Sequence, residues 1–261
     1  MVDATLFAVI KIAVSIGIVV GLSIIAERAG PRIAGIASGY PLGAAISLYF
    51  ISLECGTTFA ANSALYTAAG LSATVFFVWG YLWGIHLAGN TNRIVAISTS
   101  VFLGLVFYGS AALGLSYLPI NWFSAPLIAI LVLLLSALLF KKVPDTAIQQ
   151  KVHLKAGTTF LRAGFAAAVI LAITTVAGTI GSRWAGLFSA FPITMLPLLV
   201  IIHSTYAPEH VKAIIKNVPK GLGSLLVYAM VIAAAYPVAG TAWGTVFGYI
   251  AATACLMFFA R

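Results

Sequence analysis

Nine runs of apolar residues follow one another along the chain, separated by short polar segments. A helix needs about 20 apolar residues to cross the hydrocarbon core of a bilayer, and most of the runs approach that length. The pattern therefore predicts an all-α polytopic membrane protein with about nine transmembrane helices. The predicted spans are residues 5–26, 33–53, 65–88, 94–118, 122–140, 162–180, 184–203, 221–238 and 243–260.

Three polar or broken stretches interrupt this pattern. Residues 119–121 form a weak break, so residues 94–140 hold either two spans or one span and a re-entrant segment. Residues 141–161 are predicted to form a cytoplasmic linker. Residues 205–220 predict a short helix on the cytoplasmic surface, separate from the span that follows it.

Composition supports a bilayer as the solvent. The chain has 261 residues, of which 62% are hydrophobic and 7% charged, and its mean hydropathy is +1.11. A soluble protein usually carries about 25% charged residues. The net charge of +9 does not indicate a nucleic-acid partner, because the basic residues stand singly or in short groups between apolar runs. The expected partners are the lipid bilayer and a small polar or anionic substrate, and a homodimer remains open.

The basic residues also predict the orientation, since cytoplasmic loops carry most lysine and arginine. With the N-terminus outside and the C-terminus in the cytoplasm, only Lys11 and Arg183 remain on the outer side. We therefore expect a multi-pass protein of the cell inner (plasma) membrane. The cytoplasmic basic residues would be Arg28, Arg32, Arg93, Lys141, Lys142, Lys151, Lys155, Arg162, Lys212, Lys216, Lys220 and Arg261.

One motif occurs twice. The stretch GPRIAGIASGYPLG begins at Gly30, and GSRWAGLFSAFPIT begins at Gly181, 151 positions later. The same offset pairs Lys11 with Arg162, so spans 1–4 match spans 6–9 and span 5 is unpaired. An odd number of crossings separates the copies, which predicts an inverted 4+1+4 repeat like that of many secondary transporters. The predicted units are residues 1–118, a connector over 119–161, and residues 162–261.

The prolines of the motif carry its chemistry. Pro41 and Pro192 cannot donate a backbone hydrogen bond, which leaves a carbonyl four residues earlier without its helical partner. Such a carbonyl in a bilayer must find another donor or line a polar cavity. Ser38 and Ser189, three residues before each proline, place a hydroxyl nearby. The motif therefore predicts a kinked or broken helix in each copy, with a polar patch near the midplane.

The repeated cations suggest the ends of a substrate path. Arg32 and Arg183 would stand at opposite mouths and attract the anionic part of a substrate. Lys11 and Arg183 persist on the side where charge bias disfavours them, which favours a function, although anchoring at the interface is the alternative. The predicted substrate-binding residues are Arg32, Arg183, Ser38, Ser189, Pro41, Pro192, Gly35, Gly186, Thr194, Lys11 and Arg162.

A single carboxylate is a candidate for coupling. Glu54 lies at the outer end of span 2, where an intramembrane acid would mark a proton or ion site; a solvated loop end is the alternative. No metal-ligand spacing, catalytic triad or nucleotide-binding loop occurs in the sequence. We therefore expect no metal, no cofactor and no enzymatic activity, and an ATP-driven pump is disfavoured.

The second half also resembles a known family. The segment WAGLFSAFPITMLPLLVIIHSTYAPEHVKAIIKNVPKGLGSLLVYAMVIAAAYP is similar to the GlpM-like small bacterial inner-membrane proteins, which are short chains of about four spans. The resemblance covers about 90 residues, with a weaker echo in the first half. It implies an inner-membrane location and two such units fused through span 5, and it implies nothing about substrate.

These observations favour a small secondary transporter or flippase with inverted repeats. Its polar or anionic substrate would pass between spans 2 and 7 by alternating access. Two other functions remain open at this point, a passive channel and a non-transporting accessory protein of envelope biogenesis.

Overall fold

The fold is described from a computed structural model of the chain. It describes residues 9–17, 20, 36, 39–89, 91–141 and 156–259, and for residues 156, 158, 159, 162 and 259 it describes the backbone alone. These residues form helices and the connections between them. The helices are α1, described over residues 9–17, and α2 Leu42–Cys55, α3 Thr57–Ala88, α4 Arg93–Ser116, α5 Ser124–Phe140, α6 Ala156–Ser189, α7 Met195–Thr205 and α8 Pro208–Phe259.

Two of the long helices are each divided by a glycine. Gly181 in α6 has φ 79°, and Gly240 in α8 has φ 75°. A residue with a Cβ rarely adopts these left-handed angles, so glycine allows the chain to turn sharply there. Each of these helices therefore consists of two helical arms.

The helices have the length and surface of a membrane protein. Among the described residues, α3, α4, α6 and α8 are long and apolar enough to cross a membrane, and α2, α5 and α7 are shorter apolar helices. The helix α5 exposes a stripe of leucines at helical spacing, which is typical of a surface that faces lipid. These leucines are Leu127, Leu131, Leu134 and Leu138.

The helix α3 lies at the centre of the bundle. It packs against α2, α4, α5, α6 and α8, and most of its residues are buried. It begins at Thr57, eight residues before the predicted span, because Gly56 at φ 90° ends α2 and turns the chain directly into α3.

One sequence expectation is wrong, and the weak break at residues 119–121 separates two helices. Residues 205–220 do not form a separate surface helix, since α8 begins at Pro208 and continues through Pro219. Four buried residues at helical spacing hold this stretch in the core: Val211, Ile214, Ile215 and Val218. Residues 94–140 contain two separate helices, α4 and α5.

Close backbone contacts join the two halves of the chain. Gly39 packs on Gly221 so tightly that a Cβ at Gly39 would lie 2.7 Å from the nitrogen of Leu222. A Cβ at Gly70 would lie 2.8 Å from the Cβ of Ala190. Small residues allow two helices in a membrane to approach in this way. The two contacts exchange under the repeat offset, because 39 corresponds to 190 and 70 corresponds to 221.

Adding one methyl group at the first contact should destabilise the protein. In Gly221→Ala, the new Cβ would overlap the carbonyl oxygen of Ile36, and overpacking of this kind costs about 1–3 kcal/mol. We expect a lower midpoint of thermal unfolding for the purified protein in detergent.

Gly223→Ala is the matched control for this substitution. It lies two residues away on α8, and its Cβ would meet no atom within 4 Å. We expect an unchanged or slightly higher midpoint, because alanine favours a helix over glycine. Equal midpoints for the two variants would contradict the tight contact.

Candidate functional site

The second proline motif breaks a helix. The arm of α6 that follows Gly181 ends at Ser189, and α7 begins at Met195. Between them the N–H of Ile193 donates to the carbonyl of Phe191 at 2.7 Å, around Pro192. This tight three-residue turn is an inverse γ-turn in its hydrogen bonding.

The first proline motif makes the same turn. The N–H of Leu42 donates to the carbonyl of Tyr40 at 2.7 Å, and Pro41 between them has φ −72° and ψ 52°. The N–H of Gly39 donates to Ile36 at 3.1 Å, as that of Ala190 donates to Leu187 at 3.1 Å in the second motif. The prediction of a break at each proline is confirmed.

Hydroxyl groups of the first half satisfy the carbonyls around the second break. Three hydroxyl groups on α3 and α4 donate to these carbonyls, and the sequence analysis did not identify them. The bonds are Thr67 Oγ1 to the oxygen of Gly186 at 3.0 Å, Thr74 Oγ1 to Ala190 at 2.6 Å, and Tyr108 Oη to Leu187 at 2.6 Å. The spacing of Thr67 and Thr74, seven residues apart on one face of an apolar helix, is the signal that could have indicated them.

The hydroxyl of Ser189 bonds within its own helix. Its hydroxyl donates to the carbonyl of Ala185 at 2.8 Å, one turn back on its own helix. The carbonyl of Phe188, which Pro192 leaves without its helical donor, accepts the N–H of Phe191 at 3.0 Å instead. The Ser189 hydroxyl is therefore not the donor to this freed carbonyl.

The aromatic residues before the prolines contact the other half of the chain. Tyr40 Oη lies 2.7 Å from Thr253 Oγ1 on the last arm of α8. The ring of Phe191 packs edge-on against Tyr108 of α4, with centroids 5.1 Å apart. Each broken helix is thus held against a helix of the opposite half.

A small cavity lies between the two breaks. Its volume is about 20 Å³, which is enough for one water molecule. Residues of both motifs and of α3 and α8 line it: Tyr40, Gly43, Ala44, Thr74, Ser189, Ala190, Phe191, Pro192, Ile193, Thr194, Met195, Leu222 and Leu225. Among the residues that the structure describes, the space between the two breaks is therefore no larger than about one water molecule.

Arg183 lies outside this cavity. It is exposed, and its Nη1 donates at 2.5 Å to the carbonyl of Ser116, the last residue of α4. Its guanidinium also stands 5.7 Å from the centroid of the Tyr66 ring. A cation at a helix C-terminus is stabilised by the helix dipole, so part of its hydrogen-bonding capacity serves the fold. Gly186, one turn further along α6, packs against the backbone of α3 at Ser63.

An ion pair between a buried lysine and a partly exposed glutamate forms a second polar site. Lys11 Nζ contacts Glu54 Oε1, and it donates to Thr174 Oγ1 at 2.9 Å. It also lies 5.7 Å from the centroid of the Phe50 ring. The Lys11 side chain is 4% exposed and that of Glu54 is 26% exposed. The structure thus brings together Lys11, a predicted substrate-binding residue, and Glu54, a candidate coupling residue.

The sequence analysis did not predict that Lys11 and Glu54 pair, although the small number of charged residues on the outer side could have indicated it. In the predicted orientation, Lys11 and Glu54 are two of only four charged residues on the outer side, with Asp3 and Arg183. Opposite charges in such an apolar environment are stable when they pair.

Some predicted site residues lie outside what the structure describes. Arg32, Gly35 and Ser38 are among them, and of Arg162 only the helical backbone is described. Within the described ranges, no group of three or more His, Cys, Asp or Glu side chains could hold a metal ion. Comparisons with protein-family models, curated proteins and solved structures found no match to the chain.

The hydrogen bond from Thr74 to the second break should contribute measurably to stability. In Thr74→Val, the carbonyl of Ala190 loses this donor, and we expect a cost of about 1 kcal/mol. The midpoint of thermal unfolding in detergent should fall. Thr179→Val is the control, since Thr179 is exposed and its hydroxyl bonds only within its own helix. A loss as large in Thr179→Val would contradict a specific role for Thr74.

Proposed function

We propose that the protein is a small inverted-repeat secondary transporter or flippase. It moves a polar or anionic substrate across the inner membrane by alternating access between its two broken helices. The proposal includes nine spans, an N-terminus outside and a C-terminus in the cytoplasm. The resemblance to the GlpM-like family is part of the proposal, as two such units fused in one chain.

One observation carries the proposal, the repetition of both proline breaks with exchanged partners. The turn at Pro41 and the turn at Pro192 have the same backbone bonds, and each packs against a glycine of the opposite half. Positive φ angles also recur at the repeat offset, at Gly89 with 54° and Gly240 with 75°. A pseudo-two-fold relation between two halves produces such exchanged contacts, and inverted-repeat transporters use it to alternate access.

In the proposed mechanism, the two halves of the chain move relative to each other at the two helix breaks. A cavity of about one water molecule's volume lies between them, and in the proposed cycle this conformation is the occluded state. Rocking of one half against the other about the contacts at Gly39 and Gly70 would open the cavity to one side and then to the other. The exposed Arg183 would attract an anion at one mouth, and Thr194, which is 8% exposed and lines the cavity, would contact it inside.

A non-transporting accessory role is the second candidate, and one observation favours it. The described carbonyls at the second break already have donors, from Thr67, Thr74 and Tyr108. Such a break needs no substrate to satisfy it. Access to the cavity from water is the property that separates the two functions.

A cysteine in the cavity should report alternating access. The test places Ser189→Cys, a nearly isosteric change, in a chain whose Cys55 and Cys255 are replaced by serine. A membrane-impermeant thiol reagent is applied to right-side-out and to inverted vesicles. We expect slow labelling from both sides, because each open state is populated only part of the time.

Ser224→Cys is the matched buried control. Ser224 is fully buried on α8 and donates to Gly221, and it is not among the residues that line the cavity. We expect no labelling there. Absence of labelling at Ser189→Cys from either side would overturn the transporter proposal in favour of the accessory role. Fast labelling from both sides with steady ion conductance would indicate a passive channel.

A further inference from the structure

The ion pair between Lys11 and Glu54 lies apart from the proline breaks and does not line the cavity between them. Three helices build it, since Lys11 comes from α1, Glu54 from α2, and the hydroxyl acceptor Thr174 from α6. Its two charges differ in exposure: Lys11 is almost fully buried, whereas about a quarter of Glu54 reaches the surface. An ionisable group buried inside a membrane protein usually marks a substrate, ion or proton path.

The surroundings of Lys11 resemble a receptor for a carboxylate. The ammonium group already binds a carboxylate oxygen of Glu54, next to the Thr174 hydroxyl at 2.9 Å. Charge-assisted hydrogen bonds of this kind are about twice as strong as neutral ones. The Glu54 side chain therefore occupies the position that the carboxylate of a substrate would take.

Two buried hydroxyls lie on the helices that carry the ion pair. Ser15 lies one turn along α1 from Lys11, on the same face of that helix. Ser47 lies two turns before Glu54 on α2, again on the same helix face. Both side chains are fully buried, and their hydroxyls make no hydrogen bond within the described part of the chain. Buried hydroxyls without partners are rare in proteins.

We infer that Lys11 binds a carboxylate of the transported substrate and that Glu54 is its internal counter-ion, displaced when Glu54 takes up a proton. The inference rests on the proposed function and names its substrate class and its coupling. A proton from solution adds to a carboxylate oxygen of Glu54, and the protonated group no longer competes for the ammonium. The substrate anion then takes its place, while no covalent bond of Lys11 changes. One proton and one monocarboxylate anion move together, with no net charge.

Other groups near Glu54 must be considered for this pH dependence. In the described part of the chain, the ionisable groups placed against Glu54 are Lys11 and the neighbouring Cys55, whose thiol interacts with both charges. From α6, Thr174 and Gly178 face this region, and from α8, Thr241 bonds to Ser52. These residues carry no ionisable group, so replacing Cys55 by serine removes the other ionisable neighbour of the ion pair in the described part of the chain.

The test is a ligand titration of the purified full chain with Cys55→Ser, followed by thermal unfolding at about pH 5 and about pH 8. The probes are acetate, propionate, lactate and benzoate, with propionamide as an uncharged control. A ligand that binds the native state raises its unfolding midpoint. We expect at least one carboxylate to bind about tenfold more tightly at the lower pH, and propionamide to have no effect.

Two substitutions separate the roles of the charges. Glu54→Gln carries a neutral amide in place of the acid, so it should bind the carboxylate with the same affinity at both pH values. Lys11→Met should lose binding at both. Because a lone buried charge can prevent folding, the double variant Lys11→Met/Glu54→Gln, which removes both charges, provides a folded protein that should also fail to bind.

The outcomes that would overturn the inference are distinct from failure of the proposed function. It is wrong if no carboxylate binds the parent, if Glu54→Gln binds no better than the parent at high pH, or if the double variant still binds. Any of these, with Ser189→Cys labelled from both sides, leaves the transporter standing. Carboxylate binding with no labelling from either side overturns the transporter and supports the site at Lys11 as a carboxylate site.

Discussion

A backbone group in a bilayer has no water with which to form a hydrogen bond, and this constraint governs the structure wherever a helix is interrupted. At Pro192 a γ-turn supplies one local backbone hydrogen bond, and hydroxyls from α3 and α4, which are distant in sequence, donate to the nearby carbonyls. At Pro41 the local turn is the same, and the close contact with Gly221 packs the break against α8. The interruptions therefore depend on the opposite half of the chain for their environment.

The two polar sites share a helix. Thr174, which accepts a hydrogen bond from Lys11, lies on the long arm of α6, two turns before Gly181. Beyond that glycine, the short arm leads through Ser189 to the second break. The ion pair and the second break are thus joined through one helix. In the proposed transporter, this shared helix would link the charge site to the break.

The local features of the structure could be predicted from the sequence, whereas the tertiary contacts could not. Proline and serine at fixed spacing predict a broken helix, because the loss of a backbone donor is a local event at Pro41 and Pro192. The donors that satisfy the second break were not predictable in this way, since Thr74 and Tyr108 lie more than 75 residues from their acceptors. The extent of α8 was missed because Pro208 and the lysines of residues 205–220 suggested a surface segment. The buried stripe at Val211 and Val218 decides its position instead.

The distance along the chain between the partners at each break also affects how the protein is made. Ribosomes deliver the first half to the membrane while Gly221 and the last arm of α8, the partners of Gly39 and Tyr40, are still unsynthesised. The first break therefore lacks these packing partners, in the bilayer or at the insertion machinery, until nearly the whole chain has been synthesised. Contacts of such long sequence separation form slowly. Final assembly of this protein is therefore a late event of its biogenesis, in which two inserted halves close on each other.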